Sequence, residues 1–367
     1  MRCRVEETTF IPLTRLTTPS ALVRALEEEV ARIPVPLGKQ VRALSELFGL
    51  FTGERSGLHG SFYLDTPKLR TAYLRYHLPL NVARASWVLA DVLRVYPRLS
   101  ELRDVADLGA GLGSASLASL HGLPPEVERS FWLFDKSRSA LKMARVLLER
   151  SAAPGSARIT TKALRLPSLP LFPRPTLVWL AMVLNEIEAG ARGESPSKAL
   201  LDRLAERLKP GSVLLVIEPA LRGPGRSLLE AHEGVLASGA WRVLAPCTHQ
   251  LSCPLLRLRD RPWCHFKFRW DVPGVVREIA DPLGLDPLEP GLAYLALERI
   301  SPGEKLSPGE PLARVIGDPM RLERGGFGVY VCENGRRETI EARGPITRGD
   351  RVSTRGLTLP RRDDSRK

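Results

Sequence analysis

The 367-residue sequence predicts an α/β chain, a doubly wound sheet preceded by a helical region and followed by a small β-rich module. Three observations predict it. Apolar residues recur every three or four positions before Leu99, short apolar runs alternate with amphipathic stretches from Asp104 to about Arg299, and turn residues crowd the chain after Ile300.

Residues 1–100 read as helical, from the spacing in Ala21-Leu22-Val23-Arg24-Ala25-Leu26 and again in Ala83 to Leu89. Between these, Arg70 to Asn81 interleaves cations and aromatics on a helix that Pro79 must disturb, suited to face nucleic acid or to cap the next domain. Residues 101–300 carry candidate strands at Val105–Leu108, Phe131–Phe134, Leu177–Leu180 and Val213–Ile217. Helices are expected at Ser114–Leu120, Arg138–Glu149 and Ser197–Leu208, the last stopped by Pro210-Gly211. Ligands of such a sheet bind at the carboxyl ends of its strands. A Cys-rich insertion spans 246–266, a β module is expected over 301–360, and the charged end 361–367 reads as a frayed tail.

Composition narrows the function. With 43% hydrophobic and 26% charged residues the chain is globular rather than disordered. No apolar run reaches the ~18 residues of a membrane span, and Met1 to Arg15 carries Glu6 and Glu7 with no apolar core, so a soluble, monomeric, cytoplasmic protein is expected. The 54 basic against 41 acidic residues leave +13, which points to a polyanion partner, RNA before membrane. Five cysteines in an unsecreted chain point to metal binding or chemistry rather than disulfides.

Asp107-Leu108-Gly109-Ala110-Gly111-Leu112-Gly113-Ser114 follows a predicted strand and opens a predicted helix. A dinucleotide loop places its third glycine three residues after the second, whereas here it stands at 113. The spacing, with an acid two residues before the first glycine, resembles the first motif of class I S-adenosylmethionine-dependent methyltransferases. That resemblance implies a class I methyltransferase-type fold and a cofactor cradled by Asp107, Gly109, Gly111 and Gly113. It also implies ribose binding by the acid ending the second strand, Asp135, whose carboxylate accepts two hydroxyl hydrogens.

The catalytic signal is thinner. The Asn/Asp-Pro-Pro-aromatic segment that holds a base amine is missing, and Leu184-Asn185-Glu186-Ile187 stands in its place. Asn185 and Glu186 are the polar candidates there, as substrate contacts or as helix caps. Glu218, before Pro219 at a strand end, reads as a base or a cap.

Cys247, Cys253, Cys264 and Cys332 are spaced C-x5-C-x10-C-x67-C, neither a zinc ribbon nor a ferredoxin run. Four thiolates suit tetrahedral zinc or an iron-sulfur cubane, with His249 and His265 as alternative zinc ligands. Pro246-Cys247 also resembles the nucleophilic dipeptide of enzymes that add to a pyrimidine, but the neighbouring cysteines favour a shared ligand role.

Together with Tyr73 to Asn81, Asp107 to Gly113 and Leu184 to Glu186, the segments Pro246 to Pro254 and Trp263-Cys264-His265-Phe266 resemble the methyltransferase-like small-ribosomal-subunit assembly family of bacteria and mitochondria. The resemblance implies a 4Fe-4S cluster on Cys247, Cys253, Cys264 and Cys332, with Cys3 incidental. It further implies a protein that contacts small-subunit rRNA and supports assembly or translation. Methyl transfer stays open: a factor binding S-adenosylmethionine and a cluster, an active rRNA methyltransferase with structural zinc, or a binding module with a vestigial loop.

Overall fold

The computed structural model describes residues 16–52, 63–187, 196–301, 303–304, 312–323, 325–342 and 344–353. Cys3, the Ser307-Pro308-Gly309-Glu310 turn and the 361–367 tail lie outside the described residues.

The chain opens with helices α1 (Ser20–Ala31), α2 (Leu37–Thr52), α3 (Pro67–Arg75) and α4 (His77–Val95). Helix α1 buries Leu22, Ala25 and Leu26, the i, i+3, i+4 stripe of one face. The disturbance expected at Pro79 falls three residues earlier, where Tyr76 separates α3 from α4. Pro79 then occupies the first turn of α4, where an absent N–H breaks no helical bond.

There follow β1 (Asp104–Leu108), α5 (Ser114–Gly122), β2 (Arg129–Asp135), α6 (Arg138–Ser151), β3 (Ala157–Ala163), β4 (Thr176–Ala181), α7 (Pro196–Arg207), β5 (Val213–Pro219), α8 (Arg222–Ser238) and β6 (Trp241–Ala245). After these come β7 (Phe266–Lys267), α9 (Gly274–Ala280) and β8 (Gly291–Arg299). The strands order as β3-β2-β1-β4-β5-β8-β6, with β7 paired to β8. Neighbours among the first five are parallel, while β8 runs antiparallel to β5 and β6. This is the doubly wound class I methyltransferase-type fold expected from the sequence.

Strands β1, β4 and β5 are buried almost throughout, because helices cover both faces. The period of two divides their side chains: Val105, Leu177 and Leu215 join the core under the amino-terminal helices, and Ala106, Val178 and Leu214 join the core under α7 and α8. After β1 the chain winds outward to β3 and returns to β4 on the other flank. That reversal opens a crevice at the carboxyl ends of β1 and β4.

The last strands, β9 (Leu312–Val315), β10 (Met320–Arg321), β11 (Phe327–Glu333), β12 (Arg336–Glu341) and β13 (Arg351–Ser353), form a second sheet ordered β10-β11-β9-β13, with β12 on β11. Its own core is slight: Ala313, Val315, Val329, Val331, Ile340 and Val352. A buried charge network fastens it to the main body. Arg314 Nη2 and Arg351 Nη2 lie 2.9 Å and 3.0 Å from Asp91 Oδ2 of α4, and the Tyr294 hydroxyl donates to the same oxygen. Arg314 also donates through Nε to Pro246 O at 2.9 Å, beside Cys247.

Among the described residues, no helix is long and apolar enough to cross a membrane.

Candidate functional site

The crevice at the switch point deepens into a cavity of about 630 Å3, floored by Gly109, Ala110 and Gly111 and edged by Asp135. Its floor is shaped by backbone that side chains would obstruct. Gly109 has φ +76°, and a Cβ there would stand 2.6 Å from Val183 Cγ2. Both Gly109 N and Ala110 N donate to Phe134 O, at 2.8 Å and 2.9 Å, which ties the loop to the end of β2.

Asp135 is positioned by two amides, Gly111 N on Oδ2 and Ser137 N on Oδ1, each at 2.8 Å. Burial raises its carboxyl above the ordinary range, and those two amide bonds oppose the rise. Ser137 caps α6 through Ala140 N and donates its hydroxyl to Asp65 Oδ1 at 2.6 Å, so the 63–65 turn is drawn over the loop.

Asp107 and Gly113 lie beneath the floor rather than in the cavity wall. Asp107 Oδ2 accepts from Ser116 N at 3.0 Å and Ser116 Oγ at 2.9 Å, and burial raises its carboxyl to about 6. Gly113, at φ +82°, caps α5 where a Cβ would press on Ala144 at 3.2 Å. These two residues set the loop's shape.

The loop after β4 forms the next wall. Met182 has φ +61°, uncommon for a side chain of its size. Glu218, 1% exposed, accepts from Leu184 N at 2.9 Å and Asn185 Nδ2 at 2.6 Å, which holds the loop. It therefore acts as a positioning group from beneath. Glu186 lines the cavity and accepts from the Tyr63 hydroxyl at 3.3 Å. Burial is the main cause that lifts its carboxyl to about 7, with Asp135 adding to the rise and Lys136 opposing it.

The roof is aromatic. Phe48, Phe51, Tyr63, Tyr73 and His77 line the cavity, with ring centroids 5.0 Å apart for Phe51 and His77 and 5.3 Å for Tyr73 and His77. The Arg70 to Arg84 stretch thus turns inward rather than outward to nucleic acid. Arg75 is 6% exposed and binds Gln40 and Glu278, and Arg84 enters the cavity wall. The apolar spacing of α3 and α4 makes them core helices, and their cations follow the same face inward. The roof itself was not foreseen, since the aromatics of α2 and of the 63–65 turn carry no local motif.

A second, smaller cavity of about 30 Å3 lies beyond β8. Cys247, Cys253, Cys264 and Cys332 all line it, with Arg314 and apolar side chains such as Leu228 and Ile316. Cys247 follows β6, Cys253 N donates to Glu233 Oε1 at 2.7 Å, Cys264 precedes β7, and Cys332 comes across from β11. None forms a disulfide. Burial raises all four thiols, Cys264 to about 12; neighbouring cysteines add to the rise at Cys247, Cys264 and Cys332, where Arg314 opposes it. His249 Nε2 lies 3.3 Å from Cys332 Sγ, whereas His265 stacks on Trp263 and meets Arg348. Among the described residues, no three His, Cys, Asp or Glu side chains are drawn together as they would be around a single metal ion.

Comparison with known proteins follows this geometry. The human mitochondrial ribosome assembly protein METTL17 is 29% identical over 201 residues, 52% of this chain and 42% of that protein. The chain thus spans less than half the length of the curated relative that it matches. Among solved structures, an O-methyltransferase from Bacillus cereus in complex with SAH covers 75% of this chain and 97% of its own, at 10% identity and TM-score 0.34. An rRNA methylase from Streptococcus thermophilus covers 58% and 95%, at 11% identity and TM-score 0.33. The family described as mitochondrial small ribosomal subunit Rsm22 matches residues 68–338, from α3 into β12 of the second sheet. With well over half of its length matched, this chain belongs to that family.

Proposed function

We propose that this chain is a methyltransferase-like assembly factor of the small ribosomal subunit, which binds S-adenosylmethionine over the glycine loop and a 4Fe-4S cluster through four cysteines. One observation carries the reading. A glycine-floored cavity with a strand-end carboxylate and a thiol-lined cavity occur together in a chain of the Rsm22 family.

The residues suit the cofactor. Gly109 and Gly111 let it approach the backbone, Asp135 keeps lone pairs for ribose hydroxyls beside its two amide bonds, and Asp107 and Gly113 support the loop from below. They suit a cluster better than zinc. A cubane distributes its ligands over four irons, which fits thiols ringing a cavity rather than meeting at one ion. Cys247, Cys253, Cys264 and Cys332 would hold it, and the chemistry it would supply is iron-thiolate bonding in place of four thiol protons that burial otherwise retains. Iron, sulfide and zinc analysis of anaerobically purified protein tests this. Stoichiometric zinc without iron overturns it.

The partner on this reading is small-subunit rRNA, drawn to a chain with a formal net charge of +13. Binding should weaken steeply between 50 and 200 mM salt, as counterion release requires. Salt-insensitive binding refutes the electrostatic docking.

Glu186 favours a second reading, an active methyltransferase. A carboxyl raised to about 7 beside the cavity can accept a proton near neutrality, and Asn185 sits with it on the loop held by Glu218. Transfer of label from radioactive S-adenosylmethionine to small-subunit rRNA, abolished in Gly109→Val, would establish it. Cofactor binding without transfer leaves the assembly factor as the sole reading.

A further inference from the structure

One end of the large cavity lies beyond a molecule seated on Asp135 and the glycine loop. Asp135 closes β2 and the loop follows β1, whereas Pro219 and Leu221 wall the far end after β5. In the order β2-β1-β4-β5, three strand spacings separate the two ends, roughly 14 Å.

Arg84 enters that end from α4. Its Nε donates to Gly291 O at 3.0 Å, where β8 begins beside β5, and its Nη1 donates to Asn81 Oδ1 at 2.7 Å. A guanidinium has five N–H groups. The other three have no protein partner among the described residues, and no carboxylate pairs with Arg84 there. Burial lowers its pKa to about 10, which leaves it charged at neutral pH. A half-buried cation with no acid beside it is strengthened when a ligand supplies the anion.

Its neighbours are also incompletely satisfied. Asn81 Nδ2 donates to the Tyr73 hydroxyl oxygen at 3.0 Å, so the hydroxyl hydrogen stays available. His77, two turns from Arg84 on the same face of α4, has a buried Nε2 with no partner. Burial and Arg84 lower its pKa to about 3, so the ring is neutral.

We propose that Arg84, Asn81, Tyr73 and His77 form an anion subsite that takes a phosphate group of a nucleotide, beside the cofactor's place rather than within it. Phosphate fits because its oxygens point in several directions and can meet a guanidinium fork, a hydroxyl and an imidazole together. The rival anion is the carboxylate of the cofactor's own methionine arm, which the effect of Arg84→Gln on S-adenosylhomocysteine affinity separates from a nucleotide phosphate. The inference rests on the cofactor reading of the same cavity.

Calorimetry on the full chain tests it, with cytidine 5′-monophosphate and cytidine as probes and S-adenosylhomocysteine saturating. The monophosphate should bind about tenfold tighter than cytidine, Arg84→Gln should abolish that preference, and Arg84→Lys should keep part of it. S-adenosylhomocysteine affinity should stay within about threefold in both variants. Equal binding of the two probes by the unmutated chain overturns the subsite, and that measurement needs no variant to fold. Loss of S-adenosylhomocysteine affinity in Arg84→Gln, with the preference intact, assigns the cation to the cofactor instead. If S-adenosylhomocysteine fails to bind the unmutated chain, the cofactor reading falls, and the same probes without it still decide the phosphate subsite.

Discussion

Around the glycine loop, Asp135 meets two backbone amides at 2.8 Å and Asp107 meets Ser116 twice, so the protein satisfies its acids before any ligand arrives. Around the second cavity, four cysteines line one small space, and burial together with neighbouring cysteines raises the cost of ionising Cys247, Cys264 and Cys332. At its floor the first cavity is complete as backbone, before any ligand binds. The second brings cysteines from both sheets to one cavity, and on the proposed cluster reading it is completed only when iron replaces the thiol protons. The difference lies in where the ligands come from. The loop and Asp135 belong to adjacent strands, whereas Cys332 crosses from another sheet.

Cys332→Ser should break that contrast most severely. With that ligand gone, the second sheet keeps its six-residue core, the Asp91 network and the packing of Ile316 and Tyr330 on Leu229 and Leu255. The melting temperature should fall on the order of 10 °C, with protease cleavage concentrated after Ile300. An unchanged melt and digestion pattern refutes the fastening role.

Asp91→Asn attacks the same seam from the other side, without touching a cysteine. It leaves Arg314 and Arg351 facing each other with no carboxylate, Arg314 being 1% exposed. Breaking a buried pair in this way costs about 3–5 kcal/mol, readable as a lower urea midpoint. A change below about 1 kcal/mol would assign the seam's strength to the cysteines alone. Without acid the network repels itself, so Asp91→Asn should also weaken metal retention less than Cys332→Ser does.

Within the first cavity, the two floor glycines should differ. Gly109→Ala combines a positive φ with a 2.6 Å clash on Val183, whereas a Cβ at Gly111 meets Leu64 only at 3.4 Å. Strain of about 1–3 kcal/mol corresponds to a loss of S-adenosylhomocysteine affinity of up to about a hundredfold for Gly109→Ala. Gly111→Ala should lose about tenfold. Equal losses would mean that the ligand, rather than Val183, sets the requirement at 109.

These sites were unequally legible. The glycine loop and Asp135 could be read because each encodes its geometry locally: positive φ favours glycine, and a strand end fixes the acid. Four cysteines could be counted but not brought together by spacing, because Cys332 arrives through a second sheet. Arg314 and Asp91 stand 223 residues apart, and nothing in either neighbourhood announces a partner. The Arg70 to Asn81 stretch suits either a nucleic-acid face or a cap on the next domain, because alternating cations and aromatics look alike on a surface and around a cavity, and the structure places it against the cavity. Only packing against the sheet distinguishes them, through contacts that local periodicity does not contain.

The smallest expected effect concerns Glu186, a carboxyl of the large cavity that burial lifts to about 7. Its folded pKa, about 7, lies above the ordinary 4.5, so the folded state binds this proton more tightly. Its contribution to stability is therefore full below about pH 4.5 and is lost as pH rises through about 7. Glu186→Gln removes that titration. The variant's urea midpoint should gain on the parent's between pH 5 and pH 8, while the raised carboxyl of Asp107 contributes to both chains and cancels. A positively charged sulfonium near Glu186 favours the carboxylate, so the parent should prefer S-adenosylmethionine over S-adenosylhomocysteine more strongly at pH 8 than at pH 6. In Glu186→Gln that pH dependence should vanish. If it persists, the titrating group that senses the cofactor's charge is another acid, and Asp135, already held by two amides, becomes the one to replace next.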